Sequence, residues 1–318
     1  MLYPQISMVY KTFSLLFLCL CLSGCSFFKG LYRRQPPMPP LVTAAQPTLE
    51  QLTAAINQNS QKIRNFSAPN ASIYAPGVLI PLHSRLFFER PKRLRLQGSA
   101  TALTGQEYDF GSNDTLFWIW MRKLTGEMWY CRHDQYPACP VRSKIPIDPD
   151  WLIDALGLAE FKPSDLHSGP NRLADGNWEI LSRCQTASGQ FVKRTVIDSK
   201  TGCILRQELY TPQNKLIAFA AASDLRFDRG TGIYYARKIE IQCEGTEGKM
   251  VIDLGTPVFN SETPFAQTTF EMPVFSGYQA VDLCSPEFLQ PRGAVMPPPI
   301  PLPAGTPVPQ AGIQTIIR

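Results

Sequence analysis

The chain has 318 residues, 44% of them hydrophobic, and a formal net charge of +5. That length fits one large domain or two small ones, and that hydrophobic share is ample for a real core. The charge is mild and no run of Lys or Arg marks a nucleic-acid surface, so no nucleic-acid partner is expected.

The chain opens with a short apolar run, Phe13 to Leu22, preceded by a single charge, Lys11. A basic start, an apolar stretch too short to span a bilayer and small residues before a cut site make an export signal, not a transmembrane helix. Met8 is an alternative start that leaves this signal complete. The run closes on Leu22-Ser23-Gly24-Cys25, which resembles the lipobox of bacterial lipoproteins. The resemblance implies cleavage after Gly24, giving a signal peptide over 1–24, and a diacylglycerol on the Cys25 thiol, with palmitate-type acylation and membrane attachment. In families with this motif an Asp after the cysteine tends to hold the protein at the inner membrane. Here Ser26 follows, which implies the outer membrane, facing the periplasm. Removing Lys11 with the signal lowers the net charge from +5 to near +4.

Residues 25–47 read as a tether. Pro36, Pro37, Pro39, Pro40 and Pro47 favour an extended path, and twenty such residues reach roughly 60 Å. Lys29, Arg33 and Arg34 lie close to the lipid, either against anionic headgroups or simply in solvent. Thr48 to Arg64 is predicted as a helix. Thr48 caps it, Gln51 completes a capping box, and Leu49, Leu52, Ile56 and Ile63 make one apolar stripe. The polar run Asn57 to Gln61 is expected on the outer face.

Short strands follow. Leu86–Arg90 precedes a turn at Pro91-Lys92, and Arg93–Gly98 alternates polar Arg93, Arg95 and Gln97 with Leu94 and Leu96. Gln106–Phe110, Leu116–Met121 and Trp129–Arg132 come next. The series breaks at Pro146–Gly157, read as a short helix capped by Asp148, with Pro149 in its first turn and Trp151, Leu152, Ala155 and Leu156 on one face. After Gly169-Pro170 strands resume at Trp178–Cys184, Phe191–Asp198, Cys203–Tyr210, Lys215–Ala221, Tyr234–Cys243 and Lys249–Leu254. Turn residues separate them, as in an antiparallel meander. A last strand lies near Ala280–Leu283. Residues 286–318 form a proline-rich tail with too little apolar bulk to fold.

Of the nine cysteines, Cys19, Cys21 and Cys25 belong to the signal and lipid site, leaving six. An oxidising compartment makes pairing plausible. Cys131 and Cys139 flank Tyr136-Pro137-Ala138 and are the first candidate disulfide. Cys184, Cys203 and Cys243 read equally well as small apolar strand residues. No CxxC occurs, so neither a metal site nor a cofactor is expected.

The expected fold is mainly β: one domain over 48–285, a curved, incompletely closed antiparallel barrel or sheet with an N-terminal helix and an inserted lid helix. That element order, with Leu94-Arg95-Leu96-Gln97-Gly98 leading to Tyr108-Asp109-Phe110 and the late Phe270-Glu271-Met272-Pro273, resembles the Lol-type lipoprotein carriers and receptors. The resemblance implies an unclosed barrel under a helical lid. A lipid on the chain itself is closer to the membrane-bound receptor than to the soluble carrier. The tail and the cysteines depart from both.

Leu116-Phe117-Trp118-Ile119-Trp120-Met121 is apolar on both faces. Such a strand either sits centrally under a cover or lines a cavity. Phe117, Trp118 and Trp120, with Trp151 and Leu152 as lid, are therefore the candidate wall for a lipid or lipoprotein acyl chain, against the alternative of ordinary core. Arg93 and Arg95 share a strand face that suits either phosphate headgroups or solvent. His83, His133 and His167 belong to no catalytic motif, so no enzyme is expected. The competing function is a structural envelope protein that holds a protein partner through the tail or the polar sheet face.

Overall fold

The computed structural model describes residues 38–76, 78, 80–101, 105–122, 126–143, 149–186, 189–244 and 248–285. Gly24, Cys25, Asp148 and the tail over 286–318 lie outside the described residues. Among the described residues no helix is long and apolar enough to cross a membrane. The chain is mainly β and divides into two compact units.

The first unit takes Asp154–Cys184 and Phe191–Asp253 together with the segment ending at Arg64. Its helix α1, Leu49–Lys62, starts at Thr48, whose side chain and backbone exchange hydrogen bonds with Gln51. The capping box thus forms as its residues dictate. Seven strands follow: β7 (Leu166–Arg172), β8 (Trp178–Thr186), β9 (Gly189–Ile197), β10 (Ile204–Tyr210), β11 (Leu216–Asp228), β12 (Ile233–Cys243) and β13 (Met250–Asp253). They lie side by side in chain order as an open meander. Strand β7 was not foreseen. Gly169-Pro170 reads as a break, but it sits in an edge strand at a register shift, where proline is tolerated.

Leu52 and Ile56 of α1 pack on Phe161, Trp178, Ile180 and Ile197, and each such buried side chain contributes about 2 kcal/mol. Leu41 and Val42, which the sequence assigns to the tether, pack on the same cluster, and the Leu41 amide donates to Thr201 O. On β12 the side chains alternate. Ile239 and Ile241 are buried, while Lys238 and Glu240 pair outward with Asp253 and Lys249.

The second unit holds β1 (Asn65–Tyr74), β2 (Leu82–Glu89), β3 (Arg93–Ser99), β4 (Tyr108–Ser112), β5 (Leu116–Met121), β6 (Glu127–Arg132), β14 (Val258–Phe259) and β15 (Gln279–Asp282). Its strands run in the order β15-β6-β5-β4-β3-β2-β1, with β14 also paired to β1. β1 to β6 are antiparallel, but β15 pairs parallel to β6. The inserted helix α2 is short, Pro149–Ile153, and a π-helical turn over Asp154–Leu158 follows it. Gly157 lies within that turn at φ 89°, a left-handed backbone that favours glycine.

The expected Cys131–Cys139 disulfide is corrected. Cys139 is bonded to Cys284, and Cys131 is a buried thiol beside them. The chain returns after β15 to place Cys284 next to the turn that carries Cys139.

Candidate functional site

The strand singled out by its composition, β5, is covered on both faces by its own unit. Trp118 is 1% exposed; its indole N–H donates to Asp109 Oδ1 at 2.8 Å, and the Arg95 guanidinium lies 5.9 Å over the ring. Trp120 stacks on Phe275 at 3.9 Å and meets the edge of Tyr278 at 5.2 Å. Met272 closes the same cluster. On the opposite face Phe117 meets Tyr136 edge-on at 5.2 Å, among Cys131, Cys139, Val141 and Leu283. Trp151 is buried and Leu152 half-buried on α2, and neither belongs to these two clusters. The rings of β5 are therefore brought together with the 272–278 segment.

Arg95 is not a free cation. It grips the fully buried Asp109 carboxylate with two nitrogens, 2.8 Å at the closest, and donates to Thr269 O at 3.0 Å. Arg93 pairs with Glu89 and Asp114. His133 Nε2 lies 2.9 Å from Asn113 O, and His167 bridges Ser182 Oγ and Lys162 O.

Each unit holds space for a ligand: the second a wide, polar pocket of about 410 Å³ lined by His83, Ser84, Arg85, Gln97 and Gln106, the first a smaller cavity floored by alanines. A cavity of about 50 Å³ sits under α1 and the π-helical turn, against β10, β11 and β12. Ala220, Ala222, Leu225 and Ala236 of the strands face Ile56 of α1 and Ala155 of the turn across it. Asp224, at φ 53°, reverses the alternation of β11, so that Leu225 joins the even-numbered alanines on the cavity side. The small side chains leave the space, since alanine fills little of the gap between sheet and helix.

The cover is held by polar contacts. Asn59 exchanges two hydrogen bonds with the Tyr234 backbone at 2.8 and 2.9 Å. Ser60 donates to Leu158 O at 2.8 Å, and Asn57 exchanges hydrogen bonds with the Phe161 backbone at 2.7 and 2.9 Å. The polar run Asn57–Gln61, expected in solvent, thus includes two buried residues that dock the helix. Asp154 holds the π-helical turn. Its carboxylate lies 3.1 Å from Lys193 Nζ, and its carbonyl accepts from Gln207 Nε2 at 2.9 Å. Burial by itself lowers the Lys193 pKa, but the Asp154 carboxylate outweighs it, so the net shift is upward and the ammonium stays charged. Gln207, 3% exposed, lines the cavity, and its Oε1 has no partner among the described residues. Fifty cubic ångströms of polar-edged space is room for about three or four waters.

Sequence reasoning missed Asn59, Asp154, Lys193 and Gln207. The available signal was polar residues at strand positions whose neighbours in the two-residue period are apolar, Lys193 and Thr195 before Ile197, and the alanine run Ala220-Ala221-Ala222.

No family model and no curated protein matches the chain. Thirty chains of solved structures are similar to it, and three of them follow. A LolA superfamily protein from Nitrosomonas europaea is 10% identical, with 69% of this chain and 97% of that one covered at a TM-score of 0.43. A domain assigned to outer membrane lipoprotein sorting from Vibrio parahaemolyticus is 9% identical, covering 68% and 94% at 0.46. A DUF1329 family protein from Desulfovibrio piger is 14% identical, covering 73% and 98% at 0.47.

Proposed function

We propose that this chain is a lipid-anchored envelope protein that takes an acyl chain, of a lipid or of a lipoprotein, into the cavity under α1 and the π-helical turn. The observation that carries the reading is the make-up of that cavity: a floor of alanines and Leu225 beneath a cover fixed by side-chain-to-backbone bonds. Such a cover lifts without breaking a sheet. Ligand pockets run to about 300–1,000 Å³, so the cavity is the closed form and the chain enters as the cover rises. Each methylene transferred from water yields about 0.8 kcal/mol. Ten of them give about 8 kcal/mol, a micromolar dissociation constant before the cost of lifting the cover is subtracted. The packed rings of Phe117, Trp118 and Trp120 serve their own unit's core. Cys25 supplies the anchor and Ser26 favours the outer membrane, periplasmic face.

The full chain carrying Cys25→Ser, free of its own lipid, tests this by titration with a fluorescent fatty acid. Saturation at one probe per chain is expected, and Ala222→Phe, which fills the floor, is expected to weaken binding at least tenfold. Uptake that is absent, or equal in both proteins, contradicts it.

A further inference from the structure

Three sulfurs from separate parts of the second unit meet at one point. Cys131 is the penultimate residue of β6, Cys139 follows the 3-10 turn Tyr136–Ala138, and Cys284 follows β15. All three sulfur atoms lie within 4.8 Å of one another. Cys139 and Cys284 form the disulfide, and Cys131 Sγ stands 3.1 Å from Cys284 Sγ, inside the contact distance of two sulfurs that are not bonded. Cys131 is 0% exposed and Cys139 4%, among Phe117, Tyr136, Val141 and Leu283, while Cys284 is half-buried.

We propose that these cysteines form a three-sulfur exchange site, in which Cys284 keeps one disulfide and its partner alternates between Cys139 and Cys131. The Cys131 thiolate attacks Cys284 Sγ. A Cys131–Cys284 bond forms, the Cys139–Cys284 bond breaks, and Cys139 leaves as the thiolate and takes up the proton that Cys131 lost. One disulfide and one thiol stand on each side, so no oxidant or reductant is consumed. The two rings close over 145 and 153 residues, too similar for loop entropy to choose between them. The two forms differ in what they tie down. Cys139–Cys284 staples the 3-10 turn to the end of β15. Cys131–Cys284 staples β6 directly to its parallel partner β15 and releases the turn. Burial, with Asp282 and Asp134 adding to it, pushes the Cys131 thiol up to about 12. The thiolate fraction at pH 7 is then about 10⁻⁵, so exchange is slow at neutral pH and speeds about tenfold per pH unit.

The test uses the full chain without reductant. It is held at pH 7 or pH 9, quenched in acid, alkylated while denatured and digested with trypsin. Arg132 lies between Cys131 and Cys139, so the two fall on different peptides. Both Cys139–Cys284 and Cys131–Cys284 peptides are expected, each with the third cysteine alkylated, and interconversion is expected to be roughly a hundredfold faster at pH 9. Cys139→Ser is expected to contain Cys131–Cys284. Only Cys139–Cys284 after prolonged incubation at pH 9, with Cys131 always alkylated and with two alkylated thiols in Cys139→Ser, overturns the proposal.

Discussion

At Gly111 of β4 the Trp118 indole lies flat against the backbone, and a Cβ there would collide with the ring. Gly111→Ala must push the indole off Asp109 or shift a strand, and overpacking of this kind costs about 1–3 kcal/mol. A urea midpoint lowered to match, with m unchanged, is the expected result. Gly126→Ala, whose Cβ meets nothing within 4 Å, is expected to stay within about 0.5 kcal/mol of the parent. Buried thiols set a second expectation. Burial pushes Cys131 and Cys184 up to about 12 and Cys203 to about 11, from an ordinary value near 9. Above pH 9 the unfolded chain loses these protons while the folded chain keeps them. The unfolded state then binds fewer protons, so stability falls as pH rises, by about 1.4 kcal/mol per pH unit for each thiol, until the folded values are reached. Melts between pH 9 and 11 check this, and a flat profile contradicts it. Single residues were partly legible in the sequence. The burial of Phe117, Trp118 and Trp120 followed from their type. The disulfide did not, because local spacing favoured a partner eight positions away and the bond reaches one 145 residues on.

The docking of α1 separates helix formation from helix attachment. Thr48→Ala removes a solvent-exposed cap and costs about 1 kcal/mol. Asn59→Ala strands the N–H and C=O of Tyr234 in a buried place, at about 1–3 kcal/mol for each unpaired group. Asn59→Ala is therefore expected to lower the urea midpoint at least twice as far as Thr48→Ala, and to speed fatty-acid uptake because the cover opens more often. Equal losses, or unchanged uptake kinetics, contradict this assignment. The elements were mostly legible because periods of 2 and 3.6 survive in β3, β12 and α1. The failures share a physical cause. Periodicity weighs apolar side chains alone, so a polar helix face bonded to backbone reads as solvent, and the edge strand β7 reads as a gap at its proline. The last strand β15 was legible, but its parallel pairing was not, because its partner β6 lies far off in sequence.

For the molecule as a whole, two proposals meet: an acyl anchor on Cys25 and an acyl site under α1. They separate experimentally. Cys25→Ser is expected to abolish incorporation of labelled palmitate in cells and to release the protein from membranes, while leaving fatty-acid uptake intact. Retained label contradicts the anchor without touching the cavity. The broad class was legible, because many short strands with turn residues between them admit little else. The place of the cavity was not, because small side chains that leave space send no signal of their own, whereas bulky rings draw the eye and fill the space they occupy. The most direct test is photo-crosslinking of the full Cys25→Ser chain with a fatty acid carrying a diazirine near its methyl end, followed by peptide mapping. Labels confined to α1, β11 and β12, and lost on competition with unlabelled fatty acid, are the expected result. Labels confined to Leu116–Met121, or no saturable labelling at all, would contradict the acyl site under α1.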